Sequence, residues 1–440
     1  MEREARHSAS GAVRTRFDLT RDSHWSAIIL AVVAGGAIYW FIVELAGGFA
    51  KDDSYSVLYS SVMFSHGYWS CAYRSMPSYL PQSGPVYPLV SAAVQWITRL
   101  GFSTGYLTPS QIGPSCHNAF NIFGRLTRGT DVSPFYPVLP TAMVAWFALT
   151  LSALAIFRTS ALRSTRSIWL IPLAFALTPP LIFCVQEYYH PQDIWALAMA
   201  FTAVALGLRQ RAFAAGVLWA LALMSQPYTL LGVVTILVIS SWPVRRRLVA
   251  GGAICTAMVC SVLYLTSGSH AVVASLLGTG NTLIHETTWM YELHVNSTFG
   301  LVFSRLGPVA VVALVAWWVR SRRPDVVSDP VILLGLLATA WSLRLVFEEN
   351  LWGYYCMATG VTLVLRDIMA RRASRGTIYW LVLVLFAFGD IHGHFRFWGQ
   401  WPTWVWQLLL APTAFLVAFS SLRVSMRPSL PETELVGADH

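Results

Sequence analysis

The chain has 440 residues, of which 55% are hydrophobic and 12% charged, and a formal net charge of +9. A water-soluble fold of that length needs more polar side chains to cover its surface, so that class is excluded. The basic excess comes from arginines set between long apolar runs, which makes it a topology signal rather than a nucleic-acid surface.

Residues 1–24 form a basic tail with Arg3, Arg6, Arg14, Arg16 and Arg21, expected on the cytoplasmic side. No cleavable signal is expected there, because the apolar run that follows is long enough to span and shows no small-residue cleavage site. Residues 25–420 read as one all-α, polytopic membrane domain of about twelve helices. The spans fall near 25–47, 135–157, 168–185, 192–208, 212–226, 228–243, 249–267, 299–319, 329–347, 354–370, 377–391 and 402–420. A helix needs roughly 20 apolar residues to cross about 30 Å of hydrocarbon. With the N-terminus inside, alternate connectors hold 22 of the 30 basic residues, an asymmetry that fits cytoplasmic turns. The tail 421–440 then ends inside as well.

The opposite connectors differ. They hold eight of the eleven histidines and much of the Trp, Tyr, Asp and Glu. Short basic turns inside and a decorated outer face put the chemistry outside, at the plasma-membrane surface. The loop 48–134 is the largest of them, and within it 86–100 predicts an interfacial helix. Cys71 and Cys116 share that loop, as a disulfide or as two free thiols.

Five constellations and two single residues, Arg305 and Gln226, stand out. Lys51-Asp52-Asp53 precedes Ser54 and Tyr55 at the first helix exit; a carboxylate there either takes a proton from a hydroxyl or is only a polar helix stop. Glu187-Tyr188-Tyr189-His190-Pro191-Gln192-Asp193 is a very short outer turn with more polar groups than solvation needs. His285, Glu286, Glu292 and His294 lie before the eighth span, where a histidine can orient an acceptor or assist a carboxylate base. Arg305, inside the eighth span, is a phosphate partner or a snorkelling side chain. Arg344 sits in the apolar zone before Glu348-Glu349-Asn350-Leu351-Trp352-Gly353-Tyr354-Tyr355, where it meets an anionic ligand or pairs with Glu348 one turn on. Asp390, His392, His394 and Arg396 with Trp398 and Trp401 form the last group; histidines two apart do not share a helix face, so no metal site is expected. Gln226 is a polar residue beside Pro227, at a turn between two short spans. Walker, GxGxxG, HExxH and serine-elbow motifs are missing, so no cofactor is expected.

One span, an outer carboxylate pair, a large first loop and then many short-looped spans resemble the GT-C superfamily of membrane glycosyltransferases. The stretches Asp53-x-Tyr55, Gly67-Tyr68, Val86-Tyr87-Pro88-Leu89, His190-Pro191-Gln192-Asp193 and Asn350 to Tyr355 resemble glycosyltransferase family 87, the polyprenyl-phosphate-mannose-dependent α-mannosyltransferases. That resemblance implies a polyprenyl-phosphate sugar donor, a lipid or glycan acceptor, and inverting transfer on the extracytoplasmic face. Asp53 or Asp52 would be the general base, ionised because an exposed aspartate titrates near ~4. Arg344, Arg305 and Gln226 would face the donor phosphate, although Gln226 stands where many relatives carry a lysine. Tyr55, Glu187, His190, Gln192, Asp193, His294, Glu349, Trp352, Tyr355, His392 and His394 would line the substrates. A glycan ligase or polymerase and a lipid or glycan flippase are the competing readings. Polar groups gathered at the outer rim, without a repeat between halves, disfavour the flippase.

Overall fold

The computed structural model describes residues 18–45, 64, 84–98, 135–159, 165–186, 189–277, 288–348, 352–388, 390–391, 395–396 and 403–426. Among them the chain is helical apart from one antiparallel pairing of Asp390–Ile391 with Phe395–Arg396. Helix α1 runs Asp18–Leu45, α2 Val86–Thr98, α3 Phe135–Phe157, α4 Thr165–Ala176, α5 Pro179–Gln186, α6 Pro191–Leu208, α7 Ala212–Leu223 and α8 Leu230–Ile239. Helix α9 runs Trp242–Leu277, α10 Trp289–Glu292, α11 Ser297–Arg322, α12 Pro330–Phe347, α13 Met357–Met369, α14 Arg375–Phe388 and α15 Thr403–Ser425.

Seven of these helices are long and apolar enough to cross a membrane, which makes the protein a multi-pass, all-α membrane protein. The pair α4 and α5 is an eighth candidate, bent by 52° at its break. Pro179 and Pro180 cause the break: neither has an N–H to continue the ladder, and their rings clash with the preceding turn. Thr178 repairs part of the loss, since its carbonyl accepts from the Leu181 and Ile182 amides at 3.0 and 3.2 Å.

The remaining expected passes are helical but short. Helices α7 and α8 have 12 and 10 residues, α13 has 13 and α14 has 14. At 1.5 Å per residue they measure about 15–21 Å, less than the ~30 Å hydrocarbon core. The pair α7 and α8 forms a hairpin that turns at Met224–Gln226, and the 3₁₀ turn Pro227–Thr229 leads into its second arm. The sequence reads α7 and α8 as two short spans meeting beside Gln226 and Pro227, and their helices are short.

Helices α6 and α12 form the centre of the bundle, with 67% and 72% of their spanning windows buried. Helices α9 and α11 are only 22% and 28% buried and expose Ile254, Met258, Leu265, Leu306, Leu314 and Trp317. Apolar faces of that extent fit acyl chains rather than water. Helix α2 lies in the expected first loop and is two-sided: Tyr87, Ser91 and Ala92 are buried, whereas Leu89 and Ile97 are exposed. Its start packs on the tip of the α7–α8 hairpin, where the Gly84 amide donates to the Ser225 carbonyl at 3.1 Å and a Cβ at Gly84 would overlap the Met224 carbonyl.

Small residues set the closest helix contacts, as usual where lipid supplies no hydrophobic drive. A Cβ at Gly216 would run into the Leu248 carbonyl, and one at Gly251 into the Phe213 carbonyl, so α7 and α9 meet backbone to backbone. Gly216→Val is therefore expected to cost about 1–3 kcal/mol by overpacking, read as a fall in detergent Tm. Gly207→Ala meets open space and is the matched control, expected to leave Tm unchanged.

The arginine-bearing ends are tied by polar contacts. Arg366 pairs with Asp367 at 2.7 Å and donates to the Ser421 carbonyl and Ser425 Oγ, which joins α13 to α15. Arg323 grips Asp325 through two bonds of 2.9 and 2.8 Å, and this holds the Asp325 carboxyl below the usual carboxylate range. Asp329 caps α12, accepting from the Val331 and Ile332 amides ahead of Pro330 at the first helical position. Asp329→Ala is expected to cost about 1 kcal/mol, measurable as a lower Tm.

Candidate functional site

At the end of the bundle away from Arg209, Arg245 and Arg320, four chain segments converge. They are the start of α6, the α7–α8 turn, the last turn of α12 and the 3₁₀ turn Gly353–Cys356 that opens α13. The α5–α6 connection is tight: the His190 amide donates to the Cys184 carbonyl at 2.6 Å, and Tyr189 adopts φ 49°. A non-glycine residue in that left-handed region is uncommon and needs its surroundings to hold it. Cys184 adds a contact from its Sγ to the His190 carbonyl at 3.1 Å.

The cluster is built around Asp193 in the first turn of α6. Its Oδ1 lies 3.9 Å from Arg344 Nη1, and its Oδ2 lies 3.4 Å from His190 Nδ1. Gln192 Nε2 is closer to that same ring nitrogen, at 2.8 Å. With the amide N–H donating, Nδ1 is the acceptor and has no proton for Asp193. Among the described residues, Asp193 Oδ2 and Gln192 Oε1 are consequently buried acceptors with no hydrogen-bond donor. Such orphaned acceptors are rare, because each carries an unreturned desolvation cost.

Arg344 is held on all sides. Its Nε donates to Glu348 Oε2 at 2.6 Å, one helical turn on, and its guanidinium lies 4.0 Å from the Tyr355 ring centre and 5.0 Å from that of Tyr228. Guanidinium over an aromatic face is attractive, more so when desolvated. Of the two partners the sequence allowed for Arg344, the internal one with Glu348 is formed. With Asp193 also near, two carboxylates face the one guanidinium among the described residues of the cluster. The His190 ring stacks on Tyr354 with centroids 4.0 Å apart, and Tyr354 meets Tyr355 edge-on at 4.6 Å.

Three contributors escape the sequence reading. Tyr228 donates from its hydroxyl to the Asp193 carbonyl at 2.9 Å and thereby ties the hairpin tip to α6. Gln407, on α15, donates to the Leu345 and Glu348 carbonyls, both at 3.1 Å, and accepts from the Trp289 amide. Cys184, buried at the end of α5, serves the α5–α6 turn. A lone glutamine in an otherwise apolar span was the available signal for Gln407. Tyr228→Phe, which removes only the hydroxyl, is expected to cost about 1 kcal/mol in Tm measurements.

The expected site residues divide cleanly. His190, Gln192, Asp193, Arg344 and Tyr355 come together. Gln226 is buried at the hairpin turn, where its backbone carbonyl accepts from Thr229 Oγ1 at 2.8 Å; its side chain makes no capping bond to the 3₁₀ turn that follows. Trp352 is half-buried and its carbonyl accepts from the Tyr355 amide. His294 is exposed on the turn after α10, and Arg305 is exposed on α11, as a snorkelling arginine would be. Asp52, Asp53, Tyr55, Glu187, Glu349, His392 and His394 lie outside the described residues, as do Cys71 and Cys116. Among the described residues no group of three or more His, Cys, Asp or Glu is placed to hold a metal ion. Comparison of the chain with known protein families finds no match, and comparison with curated proteins finds none either.

Proposed function

We propose that this protein is an extracytoplasmic glycosyltransferase of the plasma membrane, moving a sugar from a polyprenyl-phosphate donor to a lipid or glycan acceptor. The observation that carries the reading is the pair of buried, donorless acceptors on Asp193 and Gln192, set among the faces of His190, Tyr354 and Tyr355. A ligand rich in hydroxyl groups supplies the missing donors, and its C–H faces suit aromatic walls. Mannose is the sugar that the family resemblance favours.

In this reading the short helices α7, α8, α13 and α14 complete a GT-C-like bundle of twelve passes, with both termini cytoplasmic. Asp53, or its neighbour Asp52, takes the proton from the acceptor hydroxyl as the oxygen attacks the anomeric carbon. The polyprenyl phosphate leaves from the opposite face, so the configuration inverts. The leaving phosphate needs no proton, so one base suffices. Arg344 already serves Glu348 through Nε, so its Nη groups are the ones to meet charge on the leaving phosphate. Exposed Arg305 and the amide of Gln226 are secondary phosphate contacts.

One observation favours the flippase instead: broken helices at 177–178 and 224–229 beside a buried charged cluster are features of transporters. Purified protein given polyprenyl-phosphate-mannose labelled in the sugar separates the two. The transferase reading expects the label to appear in an acceptor lipid. Donor crossing sealed vesicles intact, with no label transferred, would establish the flippase and sink the transferase.

A further inference from the structure

At the opposite, arginine-rich end, α8 stops at Ile239 and α9 starts at Trp242. Two arginines from different helices converge on the carbonyls between them. Arg320 of α11 donates from Nη1 to the Val238 carbonyl at 2.7 Å and to the Ser240 carbonyl at 3.0 Å. Arg245 of α9 donates from Nη2 to the same two, at 3.4 and 3.2 Å. Capping the end of α8 accounts for part of this, since a helix C-terminus carries roughly half a negative charge. It does not balance two guanidinium groups. Neither arginine forms an ion pair with a described residue; the nearby acids Asp325 and Asp329 are taken up by Arg323 and by the α12 cap.

Further positive charge gathers at the same place. The first turn of α9 holds no acidic residue, and exposed Arg246 follows Arg245. Two buried polar atoms at the junction also lack partners: Arg245 Nε and Ser240 Oγ, the latter on a residue only 1% exposed. A guanidinium nitrogen can only donate, and a hydroxyl can donate, so what is missing is an acceptor. The acceptor that also restores charge balance is an anion with several oxygens. Trp242, beside the junction and 65% exposed, has the character of a residue at headgroup depth.

We propose that Ser240, Arg245 and Arg320 form a binding site for a phosphate group, and that its source is the headgroup of an anionic lipid in the leaflet at this end. Planar guanidinium forks match phosphate geometry, and the half-buried pair is desolvated more than a surface arginine would be. The site is independent of the sugar-transfer reading.

The test uses full-length protein stripped of lipid in neutral detergent. Phosphatidylglycerol, phosphatidylcholine and inorganic phosphate are titrated separately, with Tm and native mass spectrometry as readouts. Phosphatidylglycerol is expected to raise Tm and to remain bound, whereas phosphatidylcholine and inorganic phosphate do neither. Arg245→Gln and Arg320→Gln are expected to raise the half-saturating phosphatidylglycerol concentration about tenfold. Arg247→Gln makes the same change in charge and is expected to leave it unchanged. Because the two arginines also cap α8, Ser240→Ala keeps the test open if those variants fail to fold; it is expected to weaken retention while preserving the lipid-free Tm. Equal stabilisation by phosphatidylcholine would overturn the site, and so would equal weakening by Arg247→Gln or full retention in Ser240→Ala. A shift reproduced by inorganic phosphate alone would overturn the lipid assignment.

Discussion

Arg344→Met is expected to destabilise the protein by about 3–5 kcal/mol, because it strands buried carboxylates without their cation. Glu348 loses its 2.6 Å partner, and Asp193, 2% exposed, loses the one fixed positive charge near it among the described residues. The aromatic contacts with Tyr228 and Tyr355 go as well, although methionine keeps some packing against the rings. A double change tells electrostatics from packing. Asp193→Asn together with Arg344→Met removes opposite charges, so the pair is expected to recover part of the loss, and the coupling is read from a double-mutant cycle in Tm or chemical unfolding. Strict additivity would show that Asp193 and Arg344 do not interact, despite their 3.9 Å separation.

The second large effect concerns the base. Asp53→Asn is expected to lower the transfer rate by about 10²–10⁴-fold, the range removed when a positioned general base is lost, with little change in Tm. Asp52→Asn is expected to be milder, because the family pattern runs from Asp53 to Tyr55. The measurement is single-turnover transfer of labelled mannose, with Tm recorded beside it. Wild-type rates in both variants would remove the carboxylate pair from the mechanism.

Much of the fold was legible because membrane helices announce themselves through length and apolar composition. All twelve expected passes contain helix, and the seven long ones stand close to their expected bounds. The helices are bent or short where the backbone breaks inside an apolar stretch. Pro179 and Pro180 bend one pass, and the turn at Gln226-Pro227 separates two short helices. Hydropathy averages over such breaks, whereas the prolines themselves were visible. The site was legible in part for a similar reason. Polar residues in apolar surroundings, His190, Gln192, Asp193 and Arg344, signal themselves by the cost of burying them. Tyr228 and Gln407 contribute through single hydrogen bonds to backbone carbonyls on other helices, and such a partner depends on tertiary packing that no local pattern encodes.

The choice of partner for Arg344 shows the same limit. Spacing of one helical turn allowed the bond to Glu348, and the structure forms it. The 3.9 Å approach to Asp193, which links α12 to α6, could not be read from spacing at all. That approach sets the character of the cluster: Glu348 takes the Nε of Arg344, and the unmet demand beside it is for hydrogen-bond donors at Asp193 Oδ2 and Gln192 Oε1. A hydroxyl-bearing ligand meets that demand and a bare anion does not.

The most direct test of that claim is the transfer of labelled mannose from polyprenyl-phosphate-mannose by wild-type and Asp193→Asn proteins, purified alike and compared at matched folded fraction. The account predicts turnover by the wild type and a loss of about 10²-fold in kcat/KM for Asp193→Asn, since the change removes the charge and replaces one of the two acceptor oxygens with an NH2 donor in a site built to bond a hydroxyl. Wild-type protein that transfers no sugar, or an Asp193→Asn variant that transfers it at the wild-type rate, would contradict the account.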